Sequence, residues 1–191
     1  MTVTAVAFDL MDTVVRDPFR EALTAATGRG VADVLRDREP GVWSRFECGD
    51  LSEEEYFASF RCRFDVVAFH TARRAGYRWL PGMRELLDDI AGHATRVAAS
   101  NYPVWVEELA DSLLADRFER VLASHHLGVR KPDRRFYRRL CREIGSAPGH
   151  VVFVDDRDEN VDAARQAGLR AHRFVDADDV RRRLRDEGLA V

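Results

Sequence analysis

Four short stretches carry side chains able to do nucleophilic, proton-transfer or metal chemistry, and each stands where an apolar run ends or a helix begins. Asp9 follows the apolar residues 4–8. A carboxylate in that place can attack phosphorus or bind a cation, although an Asp shortly before a Thr is also a common strand-to-loop turn. Asp155 and Asp156 follow a second apolar run, residues 151–154, with Asn160 close behind. Adjacent carboxylates repel one another unless a cation offsets them, and hard, oxygen-seeking Mg²⁺ suits several acidic groups converging with water. The alternative is a pair of helix N-terminal acids favoured by the helix dipole. Ser100 and Asn101 follow residues 95–99 and lead into a helix, so a hydroxyl and backbone amides can cradle a phosphate oxygen there, or cap the helix, or both. Lys131 is the single lysine among 30 basic residues. It offers a compact charge on a flexible stem, suited to bridging a phosphoryl oxygen and a carboxylate.

Bringing these four stretches together requires strands that run the same way. Apolar, β-rich runs at residues 4–8, 95–99, 121–123, 151–154 and 171–174 alternate with helical patterns at 81–91, 103–114, 133–144, 159–167 and 178–187. That alternation predicts an α/β fold, a Rossmann-like parallel sheet with helices on both faces. Gly145 and Gly168 fall where helix C-caps are expected. Residues 17–79 break the rhythm and carry helix signals only, at 19–26, 31–36, 40–46, 53–64 and 66–75, the fourth opened by a Ser52/Glu55 capping box. An all-helical segment directly after the first strand reads as a small cap over a site at the carboxyl ends of the strands. The expected organisation is a core of residues 1–16 and 80–191 with a cap of residues 17–79.

Composition excludes several classes. Apolar residues make up 46% and charged residues 33%, enough for a packed core and unlike a disordered chain. A net charge of -3 gives no electrostatic footprint for nucleic acid. The arginine-dense segments 134–142 and 181–185 alternate with apolar residues, as solvated helix faces do. No apolar stretch approaches the roughly 18–20 residues that span a bilayer, and the first residues read as a buried strand rather than a signal peptide. Three cysteines without close pairing, Cys48, Cys62 and Cys141, suit a reduced, cytoplasmic protein. The expected partner is a small phosphorylated substrate, with no nucleic acid or membrane, and the protein is expected to be a monomer or homodimer.

Together the four stretches resemble the motifs of the haloacid dehalogenase-like superfamily. Phe8-Asp9-Leu10-Met11-Asp12-Thr13 resembles its first motif and Ala99-Ser100-Asn101 its second. Gly128-Val129-Arg130-Lys131-Pro132-Asp133 resembles the third, and Val154-Asp155-Asp156 through Asn160 the fourth. Order and spacing match over essentially the whole chain, with residues 17–79 in the position of a C1-type cap. The resemblance implies a Mg²⁺-dependent phosphomonoester hydrolase. Asp9 would form an aspartyl-phosphate, Thr13, Ser100 and Asn101 would bind the phosphoryl group, and Lys131 would orient and neutralise it. Mg²⁺ would be held by Asp9, the backbone carbonyl of Met11, Asp156 and the nearby Asp155.

The chain departs from the superfamily pattern two residues after Asp9. A second Asp usually acts there as general acid and base, a contribution worth about 10²–10⁴ in rate; this chain has Met11, with an acid displaced to Asp12, and Asp12, a water or a cap residue is the candidate substitute. Haloacid dehalogenases also lack that Asp and resemble this chain at Lys131 and Tyr137, so a metal-independent dehalogenase is one alternative. A binding module without turnover is another. The acidic pair Asp155–Asp156 favours phosphate-ester hydrolysis. A closer resemblance is to the flavin mononucleotide hydrolase-like proteins of plants and bacteria. It runs through residues 8–19, Ser100-Asn101-Tyr102-Pro103-Val104-Trp105 and Arg130-Lys131-Pro132-Asp133, and it includes the Met. It implies a flavin or nucleotide monophosphate, on which Tyr102, Trp105, Trp43 or Phe46 could stack, while core packing remains the other role for each aromatic.

Overall fold

The structure, a computed structural model, describes residues 2–191. Strand β1 (Ala5–Phe8) is followed by five helices in succession: α1 (Phe19–Thr27), α2 (Val31–Asp37), α3 (Val42–Glu47), α4 (Glu53–Ala58) and α5 (Val66–Gly76). The chain then alternates through α6 (Met83–Ile90), β2 (Thr95–Ser100), α7 (Val106–Asp111), β3 (Arg120–Ala123), α8 (Ser124–Leu127) and α9 (Arg134–Ile144). It ends with β4 (Val151–Asp155), α10 (Asp158–Gln166), β5 (Arg170–Arg173) and α11 (Ala177–Asp186). The five strands pair in parallel in the order β3-β2-β1-β4-β5, as the alternating pattern predicts. β1 is central, and the chain crosses from one side of it to the other between β3 and β4. The carboxyl ends at that reversal form the crevice where such sheets bind ligands.

β1 and β4 are buried at every position, which explains their unbroken apolar runs. Alternate strand residues serve opposite faces. Ala5, Ala7, Val151 and Phe153 pack with Phe136, Tyr137 and Leu140 of α9 and Val161 and Ala164 of α10. Val6, Phe8, Val152 and Val154 join the other core, with Met83, Leu86, Leu87 and Ile90 of α6 and Val180 and Leu184 of α11. Each such fully buried Val, Leu, Ile, Phe or Met side chain contributes about 1.5–3 kcal/mol.

The helical insert hangs from a two-stranded ribbon. Arg16 N–H donates to Arg78 O and Leu80 N–H to Val14 O, each at 2.9 Å, and Val15 bridges Trp79. Gly76 lies so close to Pro18 that a Cβ there would come within 2.4 Å of the proline ring, so the two ends of the insert can meet only with glycine at that point. Inside the insert, Trp43, Phe46, Tyr56, Phe57 and Phe69 surround Trp105 from the core, and Trp105 Nε1–H donates to Glu53.

Most differences from the sequence reading lie at element ends. The expected 53–64 helix opens with its capping box, Ser52 Oγ accepting from Glu55 N–H at 3.1 Å and Glu55 accepting from Ser52 N–H at 2.7 Å. It stops at Ala58, where Ser59 turns its hydroxyl onto Tyr56 O at 2.6 Å and competes with the helical ladder. The 103–114 helix is shorter, at Val106–Asp111. The segment after β3 winds into the single turn α8, which contains His125 and His126. The three cysteines are unpaired, and among the described residues no helix is long and apolar enough to cross a membrane.

Candidate active site

A cavity of about 280 Å³ opens at the carboxyl ends of β1, β2 and β4 and is covered in part by the insert. Asp9, Met11, Asp12, Ser100, Asn101, Lys131 and Asp156 line it, so seven of the nine residues singled out from sequence converge on one place.

Lys131 organises the floor. Its Nζ, buried with the side chain 1% exposed, donates to Asp9 Oδ1 at 2.7 Å, Asp155 Oδ2 at 2.7 Å and Ala99 O at 2.8 Å. All three ammonium protons are therefore used. Burial opposes the charge, but Asp9 and Asp155 outweigh it and raise the lysine above its ordinary pKa. The same burial drives the Asp9 carboxyl upward, with Lys131 pulling the other way and Asp155 and Asp156 adding repulsion. Asn101 fixes the lysine backbone from across the crevice, accepting from Lys131 N–H at 2.8 Å and donating to Lys131 O at 2.9 Å. Both ends of its amide are thus committed, and Asn101 places the lysine where sequence suggested a phosphate contact.

The two acids at the carboxyl end of β4 divide their work. Asp155 is fully buried and engaged on both oxygens, accepting from Lys131 Nζ, from Arg157 N–H at 2.9 Å and from Asn160 Nδ2 at 2.9 and 3.1 Å. Asp156 is half-buried and faces the cavity, its carboxyl raised by burial and then by Asp155 beside it. Asp9, Asp155 and Asp156 each offer a carboxylate oxygen, all within 4.8 Å of one another. One ammonium against three carboxylates leaves negative charge that a hard cation with oxygen ligands fits.

Ser100, 1% exposed, lines the cavity beside Asp9. Asp12 sits in the left-handed region at φ +58° and accepts from Asp17 N–H at 3.1 Å, so one carboxylate oxygen holds a turn. Thr13 is fully buried outside the cavity lining, its hydroxyl making no hydrogen bond among the described residues.

Much of the rest of the cavity wall, Trp43 and Tyr102 excepted, carried no assignment from sequence. Phe19, Leu35, Arg38, Trp43 and Glu47 descend from the insert, and Arg130 and Arg157 flank Lys131 and Asp156. Glu47 is 1% exposed and ion-paired with Arg130, which also donates to Ser44 Oγ at 3.3 Å. Burial pushes the Glu47 carboxyl up to about 7 against the pull of Arg130. Its signal was available: Glu47 follows Trp43 by four residues and therefore falls on the inward stripe of α3. Of the four aromatics considered for stacking, Trp43 and Tyr102 line the cavity. Trp105 and Phe46 are core, Phe46 stacking on Tyr56 at 4.4 Å.

Residues 3–168 match the haloacid dehalogenase-like hydrolase family. The chain is 36% identical over 189 residues to the chloroplastic flavin mononucleotide hydrolase 1 of Arabidopsis thaliana, covering 96% of this chain and 77% of that one. A predicted hydrolase of the same fold family from Porphyromonas gingivalis superposes with a TM-score of 0.77 at 22% identity, over 97% of this chain and 99% of that one. A related enzyme from Bacteroides thetaiotaomicron, in complex with magnesium and inorganic phosphate, superposes with a TM-score of 0.74 at 14% identity, over 92% and 95%. At such identities the two structures share the fold.

Proposed function

This chain belongs to the haloacid dehalogenase-like hydrolases, and from that premise we propose that it is a Mg²⁺-dependent phosphomonoesterase acting on a small metabolite, with flavin mononucleotide as the first substrate to test. The observation that carries the reading is the division of charge at the floor: Lys131 is spent on Asp9 and Asp155, while Asp156 faces the cavity beside them. A metal-independent dehalogenase would gain nothing from a third carboxylate there. A binding module would not require the nucleophile to be held against an ammonium at 2.7 Å.

Asp9 attacks phosphorus through a carboxylate oxygen, the bond to the leaving oxygen breaks, and water then cleaves the aspartyl-phosphate. Burial raises the Asp9 carboxyl, and Lys131 opposes that rise and offsets phosphoryl charge. Ser100 contributes a hydroxyl beside the transferring group. Asp9, Asp156 and the Met11 carbonyl would hold Mg²⁺, which supplies charge neutralisation for the phosphoryl oxygens. Asp155 is the residue that fixes Lys131 and the turn into α10. Residues 17–79 act as the cap, and Phe19, Leu35, Trp43 and Tyr102 offer an apolar and aromatic wall for the leaving group. The relative from Arabidopsis thaliana, named for flavin mononucleotide hydrolysis, supports that substrate class.

Phosphate release from p-nitrophenyl phosphate and from flavin mononucleotide, with and without Mg²⁺, tests the reading. Metal-dependent release abolished by Asp9→Asn supports it. Release unaffected by chelation, or by loss of the Asp9 carboxylate, would refute it.

A further inference from the structure

The cavity lacks a carboxyl two residues after the nucleophile, yet alkoxide expulsion needs a proton. Asp12, the nearest acid in sequence, is exposed and holds the Asp17 amide. Asp17 also lines the cavity but accepts from Phe19 N–H at 3.0 Å as the chain enters α1. Glu47 differs from both. It comes down from the insert, is buried, and meets Arg130 in the loop that also carries Lys131.

We propose that Glu47, carried on the insert, is the proton donor to the leaving oxygen and the proton acceptor for the hydrolytic water, in place of the acid that Met11 replaces. The proposal rests on the phosphomonoesterase reading above. In the first half-reaction an Asp9 oxygen bonds to phosphorus and the phosphorus–oxygen bond to the leaving group breaks. The bonding pair goes to the leaving oxygen, which takes the Glu47 proton, and the new carboxylate is received by Arg130. In the second half-reaction Glu47 takes a proton from water as that oxygen bonds to phosphorus. The bond to Asp9 breaks, its electron pair returns to the Asp9 carboxylate, and Glu47 is again protonated. The sum is one ester and one water giving one alcohol and one phosphate.

Two observations suit Glu47 to this cycle. The first is its surroundings. Arg130 and Lys131 face it from the loop before α9, Arg157 from the turn after β4, Tyr56 from α4, and the Cys48 thiol and Asp50 follow on its own segment. Burial outweighs the cations and holds the carboxyl near 7, where a group can both give and take a proton. The second is its anchorage. The Glu47 carbonyl accepts from Ser124 Oγ, and the same hydroxyl accepts from Tyr102 N–H at 3.1 Å, so the end of α3 is tied to the segment that follows Ser100.

The test compares a leaving group that needs a proton with one that does not. Wild type, Glu47→Gln, Glu47→Asp and Asp17→Asn are assayed with Mg²⁺ on flavin mononucleotide, an alkyl phosphate, and on p-nitrophenyl phosphate across pH 5–9. Glu47→Gln should lose about 100-fold or more in kcat/KM, which stops at departure of the leaving group and excludes the shared hydrolytic step, on the alkyl ester and only a few-fold on the aryl ester, with partial recovery in Glu47→Asp. In wild type, a fall in kcat/KM above about pH 7 should appear with the alkyl ester alone, a measurement that needs no variant to fold. Equal losses on both esters, no loss on either, or the split arising in Asp17→Asn would overturn the assignment. Wild type inert on both esters would instead sink the phosphomonoesterase reading, and this inference with it.

Discussion

Lys131 Nζ stands 2.7 Å from Asp9 Oδ1, both groups buried beneath the cavity, so the nucleophile and its counter-charge are one electrostatic unit. Loss of this lysine should cost activity, and the geometry adds a structural penalty. Lys131→Ala leaves Asp9 and Asp155 without their ammonium, and removing one partner of a buried pair costs about 3–5 kcal/mol. The deprived carboxylates recover by taking protons that the unfolded chain has released at neutral pH, so the deficit shrinks as pH falls. Denaturant unfolding of wild type and variant at pH 8 and pH 5 checks this. A deficit equal at both pH values would show that lost packing, not charge, is responsible.

The chemistry at the strand ends was legible because it is written locally. Asp9, Ser100, Lys131 and Asp156 each follow or precede a regular element, and the parallel sheet carries them to one crevice without further information. Partners joined across long separations were not legible. Asn101 clamps a backbone 30 residues away, and the Ser124 hydroxyl donates to the Glu47 carbonyl 77 residues away. Nothing in a local pattern distinguishes these from a cap and a turn residue. The roles assigned to Asn101, Asp155 and Thr13 rested on the same limit: proximity to a motif does not say which way a side chain points. Thr13 and Asp155 are wholly enclosed, and the Asn101 amide is engaged by the Lys131 backbone.

Asp156 should report the metal independently of turnover. With Asp9 and Asp155 it forms a three-carboxylate cluster, its own carboxyl already raised by burial and by Asp155. Mg²⁺ binding to the folded chain stabilises it by about 2.7 kcal/mol at a concentration 100 times Kd. Thermal melts at pH 8 should therefore rise with MgCl₂ in wild type and stay flat in Asp156→Asn. In EDTA the variant should match or exceed wild type, because a repelled carboxylate has been removed. A variant melting lower in EDTA would mean that Asp156 holds the fold rather than a cation.

Glu47 predicts a pH dependence of stability with a definite sign. The folded carboxyl titrates at about 7 and the unfolded one near 4.5. Below 4.5 both states hold the proton and the group is neutral to stability. Between 4.5 and 7 the unfolded chain releases it while the folded chain retains it, so stability falls as pH rises and levels off above 7. The span, at about 1.4 kcal/mol per pH unit, amounts to about 3 kcal/mol. Glu47→Gln should lack this component, so its stability relative to wild type improves from pH 4.5 to pH 8. A difference independent of pH would place the Glu47 pKa near its ordinary value.

Ser124→Ala separates anchorage from phosphate binding. Ser124 is fully buried, its hydroxyl donating to the Glu47 carbonyl and accepting from Tyr102 N–H. Alanine strands both backbone groups away from water, at about 1–3 kcal/mol for each group left without a partner. The same loss frees the end of α3, and with it the Glu47 carboxyl, while leaving Lys131 and its bonds to Asp9, Asp155 and Ala99 in place. Inhibition by inorganic phosphate depends on that floor and should be nearly unchanged. Turnover of an alkyl phosphate depends on where Glu47 sits and should fall several-fold, with aryl phosphate turnover falling less. If phosphate inhibition weakened in parallel with turnover on both esters, the hydroxyl would be supporting the phosphate floor through Tyr102 rather than holding the proton donor in place.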